Sequence, residues 1–62
     1  MTIDEQIKEV LQDIDFYFKA IKSMSFFNYK GINDNYIEML FENWYINNEI
    51  LKTLKKQVKE NA

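Results

Sequence analysis

The sequence predicts an all-α protein: an antiparallel two-helix hairpin, with helices over residues 3–29 and 34–59, that pairs into a dimeric four-helix bundle. Three observations predict it. Two long runs carry apolar residues at alternating spacings of 3 and 4. The chain has no Pro and a single Gly, Gly31, which falls between those runs. Its hydrophobic fraction is 47 % in 62 residues, too apolar for a disordered chain and short enough for one domain only.

The first run opens on Thr2 followed by Glu5, a capping box in which hydroxyl and carboxylate each satisfy a backbone N–H at the helix start. Asp4 and Glu5 also suit the positive end of the helix dipole. Ile3, Ile7, Val10, Ile14, Tyr17, Ile21 and Met24 follow at spacings of 4, 3, 4, 3, 4, 3, an unbroken coiled-coil-like heptad seam. Leu11 and Phe18 widen it on one side. Gly31 suits the left-handed residue just past a helix end, with Ile32 packing back on Phe27, so the first helix is read to Tyr29. A competing stop lies near Ser25, because Phe26 and Phe27 leave the seam.

Asn33, Asp34 and Asn35 are all good N-caps for the second helix. Its seam reads Ile37, Leu40, Trp44, Asn47, Leu51, Leu54 and Val58, again alternating 3 and 4, with Phe41 on its flank. Lys52, Lys55, Lys56 and Lys59 crowd the last turns, favourable at the negative end of the dipole.

Each helix has more apolar surface than one hairpin contact covers. At 100° per residue, Phe16, Ala20 and Phe27 lie together on the far side of the first helix. Tyr36, Met39, Ile46, Ile50 and Leu54 form a second face on the other. Soluble monomers rarely expose so much contiguous apolar surface, and domains this small usually need a staple or self-association. A homodimer is therefore expected, with Met39, Asn43, Ile46, Asn47 and Ile50 as the oligomer interface. The alternative is a monomer whose 26–36 segment folds over the open face. A lone seam Asn such as Asn47 can specify register; equally, Asn43, Asn47 and Asn48 can face solvent at the hairpin edge.

Composition narrows function by exclusion. The chain has no Cys, no His and, with all eight basic residues being Lys, no Arg. That removes disulfides, Cys/His metal sites and Cys- or His-based catalysis. Glu38, Glu42 and Glu49 share a stripe, but carboxylate-bridged metal bundles also want Glu-x-x-His, so the stripe reads as a solvated acidic face. No nucleophile set or Gly-rich phosphate loop is present. The expectation is a non-enzyme with no catalytic residues, no metal and no cofactor.

A net charge of −2 and a pI near 4.9 give no general attraction to nucleic acid. The lysine-rich end nevertheless supports an alternative as a nucleic-acid-associated regulator; a purely structural oligomerisation unit is a further one. No apolar run is long enough for a membrane span, and the acidic start is unlike a leader, so the expected compartment is the cytoplasm. Heavy use of Ile, Asn, Lys, Phe and Tyr reflects an AT-rich coding bias, compatible with a phage or other mobile element. The functional expectation is a small regulator or inhibitor that binds a partner protein, of identity the sequence does not carry, through an aromatic-rich helix face. The residues assigned to that contact are Phe16, Ala20, Phe27 and Tyr45, since aromatic side chains dominate interface hot spots.

Overall fold

The computed structural model describes residues 2–60. Helix α1 spans Ile3–Phe26, a single 3-10 turn covers Tyr29–Gly31, and helix α2 spans Asp34–Glu60. There is no strand among the described residues. The two helices pack against each other along their length as an antiparallel hairpin, 50 × 15 × 14 Å overall.

The predicted seams are the packed surfaces. On α1, Ile3, Ile7, Val10, Ile14, Tyr17 and Met24 are half-buried and Ile21 is buried. On α2, Ile37, Trp44, Asn47 and Leu51 are half-buried and Leu40 and Leu54 buried, while Val58 frays to solvent near the open end. Leu40, at 3 % exposure, is the best-covered side chain. It and Ile21 anchor the turn end of the hairpin and Leu54 the open end.

At the start of α1, the Thr2 hydroxyl accepts from the Glu5 N–H at 3.2 Å, the expected half of the capping box. The other half differs. The Glu5 carboxylate accepts from the Thr2 hydroxyl at 3.2 Å.

α1 stops at Phe26, beside the competing stop near Ser25 and not at Tyr29. The next seam position after Met24 is Asn28, so extending the helix would bury no further apolar side chain. Asn28 instead takes φ −82° and ψ 81°, an inverse γ-turn conformation, closed by the Tyr29 N–H donating to the Phe27 carbonyl at 3.0 Å. Its carboxamide then ties the turn to α2. Oδ1 accepts from the Asn33 N–H and Nδ2 donates to Asp34 Oδ1, both at 2.7 Å. Asn33 is the cap residue, its carbonyl accepting from the Ile37 N–H at 2.9 Å.

Gly31 does have the positive φ that its identity suggests, +74°, following Lys30 at +53°. It closes the 3-10 turn and does not terminate α1. Ile32 accordingly does not pack back on Phe27 and is 76 % exposed. The 26–36 segment does not fold over the hairpin either: Phe26, Phe27, Tyr29, Ile32 and Tyr36 all project into solvent. No helix among the described residues is long and apolar enough to cross a membrane.

Candidate protein-interaction surface

The core of the hairpin is thin. Among the described residues, three hydrophobic side chains are buried and fourteen large ones are exposed. The chain presents 5128 Å² to solvent, where a compact monomer of 7.6 kDa presents roughly 4300 Å². The radius of gyration, 14.5 Å, likewise exceeds the roughly 10.6 Å of a compact domain of this length. The excess area, roughly 800 Å², is what one partner contributes to a standard-size protein interface.

Helix geometry sorts the exposed residues into two sides. On α1, Ala20, Phe27 and Phe16 lie on one flank of the seam, and Leu11 and Phe18 on the other. On α2, Met39, Ile46 and Ile50 lie on one flank, and Phe41 and Tyr45 on the other. Both helices are right-handed and they run antiparallel, so flanks that trail the seam in the same rotational sense share a side. The Ala20 and Phe27 flank therefore joins the Met39, Ile46 and Ile50 flank to make one broad apolar side. Leu11, Phe18, Phe41 and Tyr45 occupy the opposite side.

The residues assigned from sequence to partner binding are thus not one patch. Phe16, Ala20 and Phe27 share a side with the residues assigned to self-association, and Tyr45 stands apart from them. Phe16 is 64 % exposed and packs edge-on against Tyr17, with ring centroids 5.5 Å apart. Leu11, Phe18 and Phe41 join the interaction surface beyond the residues expected from sequence, and their placement off the seam by more than 60° is the signal for them.

The asparagines divide differently. Asn47 sits in the interior seam, and its Nδ2 donates to the Asn43 carbonyl of its own helix at 2.8 Å. Asn48 does the same to the Trp44 carbonyl at 2.8 Å. These bonds run back one turn, so neither amide donor reaches across to α1. Asn43 is half-buried on the Met39 and Ile46 flank. The Trp44 indole N–H is buried without an acceptor among the described residues, which costs about 1–3 kcal/mol.

An open groove of ≈ 340 Å³ runs along α2 between Tyr45, Ile46, Glu49, Ile50, Thr53 and Leu54, almost wholly apolar in lining. A second, of ≈ 420 Å³, is lined by Lys52, Lys55, Lys56 and Lys59. Charged groups contribute little to holding the fold. The one ion pair among the described residues is Lys19 with Asp15, 2.8 Å apart on consecutive turns of α1 and well exposed. The Asp15 hydrogen bond, and then its charge, raise the Lys19 pKa above 10.5. No three acidic side chains come together as a metal-holding group among the described residues.

No protein-family model, curated protein or solved structure matches the chain.

Proposed function

We propose that this chain is a small protein–protein interaction module that completes its apolar packing on other protein surfaces. One broad side pairs with a second copy as a dimeric four-helix bundle. The other, bearing Leu11, Phe18, Phe41 and Tyr45, is the surface on which a regulator or inhibitor of this kind would hold a partner. The observation that carries the reading is the exposed area. Among the described residues three hydrophobic side chains are buried and fourteen large ones exposed, on both sides of the hairpin, more apolar surface than a soluble monomer usually leaves uncovered.

Thermal melting followed by circular dichroism across a hundredfold range of protein concentration tests the reading. A pairing hairpin melts at a temperature that rises with concentration, because association stabilises by mass action. A melting temperature independent of concentration overturns it. For the partner side, Tyr45→Ala and Phe18→Ala should leave helix content and the concentration dependence unchanged while weakening capture of the target protein.

A second reading rests on the four lysines of the last turns of α2, which have no acidic partner among the described residues. They would meet phosphates if the module acted on nucleic acid. Binding to DNA or RNA that weakens steeply with salt would favour it.

A further inference from the structure

The side that bears Phe41 and Tyr45 continues beyond them along α2. At 100° per residue, Asn48, Lys52, Lys55 and Lys59 follow on the same stripe at spacings of 3 and 4, with Lys56 beside it. From Phe41 to Lys59 the stripe runs about 27 Å at 1.5 Å rise per residue. Phe41 and Tyr45 are 50 and 62 % exposed. All four lysines are exposed, and together they line one groove of ≈ 420 Å³. The stripe is thus aromatic in its first half and cationic in its second.

Stability of the helix does not account for the lysines. The helix dipole favours cations within the last turn, where Lys59 alone stands. Lys52 and Lys59 each have Lys55 and Lys56 three or four residues away, and like charges at those spacings weaken a helix. No carboxylate pairs with any of the four among the described residues. Glu49 and Glu60 lie at the outer edge of the stripe, and α1 adds Asp4 and Lys8 to the same side at that end. A positive surplus therefore remains there, on a chain whose net charge is −2.

Resting on the partner side proposed above, we infer that the partner held there is an acidic amphipathic helix of another protein. Its apolar side chains lie over Phe41 and Tyr45, and its carboxylates lie over Lys52, Lys55 and Lys59, where the charges are complementary. Nucleic acid matches only half of the stripe. Its backbone is charged throughout, and Glu38 and Glu42 border the aromatic half. The α2 of a second copy matches one half at a time. Antiparallel, setting Phe41 opposite Tyr45 carries Lys55 and Lys59 past the start of the other α2, and setting Lys55 opposite Glu38 sets Phe41 opposite Lys52. Parallel, lysines meet lysines. On α1, Glu9 and Asp13 do precede Phe16 and Ala20, but on the opposite flank, the one given to pairing. Laying that flank of one copy on this side of the next is head-to-tail and builds rings or filaments, not a dimer.

Two synthetic helical peptides, labelled for fluorescence anisotropy and titrated with the protein, test this. Both carry leucines along one face of their second half. Along the same face of the first half, one carries glutamates and the other glutamines. At low salt the glutamate peptide should bind about tenfold more tightly, the worth of a few exposed ion pairs, and salt should shrink the difference. Lys52→Gln with Lys55→Gln should erase that difference while retaining helical circular dichroism, since both side chains are exposed. Tyr45→Ala should weaken both peptides. Equal affinity for the two peptides overturns the inference; if Tyr45→Ala still weakens both, the partner side itself stands. Binding of neither peptide overturns both. Single-stranded oligothymidylate binding more tightly than the glutamate peptide overturns the inference in favour of phosphate. Sedimentation is run alongside: a mass that grows beyond two copies, and falls back in the doubly substituted lysine variant, overturns it in favour of a head-to-tail copy of this chain.

Discussion

Truncating Leu40 tests whether the seam holds the hairpin together. Leu40 is 3 % exposed, so Leu40→Ala removes three carbons that water does not otherwise reach. At about 0.8 kcal/mol per buried methylene the transfer loss is about 2.4 kcal/mol. A cavity adds to this in a closed core and brings measured Leu→Ala losses to about 2–5 kcal/mol. Here the groove between two helices is open along its edges, so the lower half of that range, about 2–3 kcal/mol, applies. A domain of 62 residues has about 3–9 kcal/mol of stability in all, so the variant loses at least about a fifth of it. Its melting temperature should fall by about 10–20 °C. Leu11→Ala is the control. Leu11 is 46 % exposed on the flank away from the seam, and its truncation should cost under about 1 kcal/mol. Urea titration followed by circular dichroism reads both, at one fixed protein concentration. Equal losses for the two variants, or less than about 1 kcal/mol for Leu40→Ala, would refute the seam as the core.

Further outcomes follow from the turn and from the ion pair. Asn28→Ala removes two 2.7 Å hydrogen bonds between the turn and the start of α2; it should cost about 1–2 kcal/mol and speed amide exchange at Asn33, which keeps its protection if the bonds are idle. Gly31→Ala should destabilise by about 1 kcal/mol or more. Its φ is +74°, and an added Cβ would stand 2.7 Å from Asp34 Oδ2. In an Asp34→Ala background only the backbone strain remains, so a penalty unchanged by that second substitution would contradict the clash. Lys19 has its pKa raised by the Asp15 hydrogen bond and charge. Any stability from this pair is fully present below the lysine's ordinary value of 10.5 and is lost as pH rises through the higher folded value. The pair is exposed, so that change is small, and Lys19→Gln should remove it from a melting series run between pH 9 and 12.

The two helices were legible because their seams repeat without a break for seven positions each, and burial in the structure follows those positions nearly one for one. The end of α1 was not, because two local signals compete there. Gly31 is a good helix terminator by conformation, but the hydrophobic seam has already run out at Asn28, whose side chain finds its partners in Asn33 and Asp34. Position along the seam outweighs the glycine, since tertiary burial stabilises a helix end more than a local cap does. The apolar excess on both helices was also legible as a periodic pattern. Which exposed residues share a side was not legible from either helix alone. It depends on the handedness of the antiparallel pair, which separates Tyr45 from Phe16, Ala20 and Phe27 and joins those three to Met39, Ile46 and Ile50. The state of Asn47 was equally hidden: a seam Asn can reach across or back, and this one reaches back to Asn43.

The central claim is that a single hairpin leaves large apolar side chains exposed for a second copy to cover. Sedimentation equilibrium at micromolar concentration and moderate salt measures this directly. The account predicts a mass twice the 7.6 kDa of one chain, reverting toward one chain on dilution. A particle of 7.6 kDa at every concentration up to millimolar would contradict it.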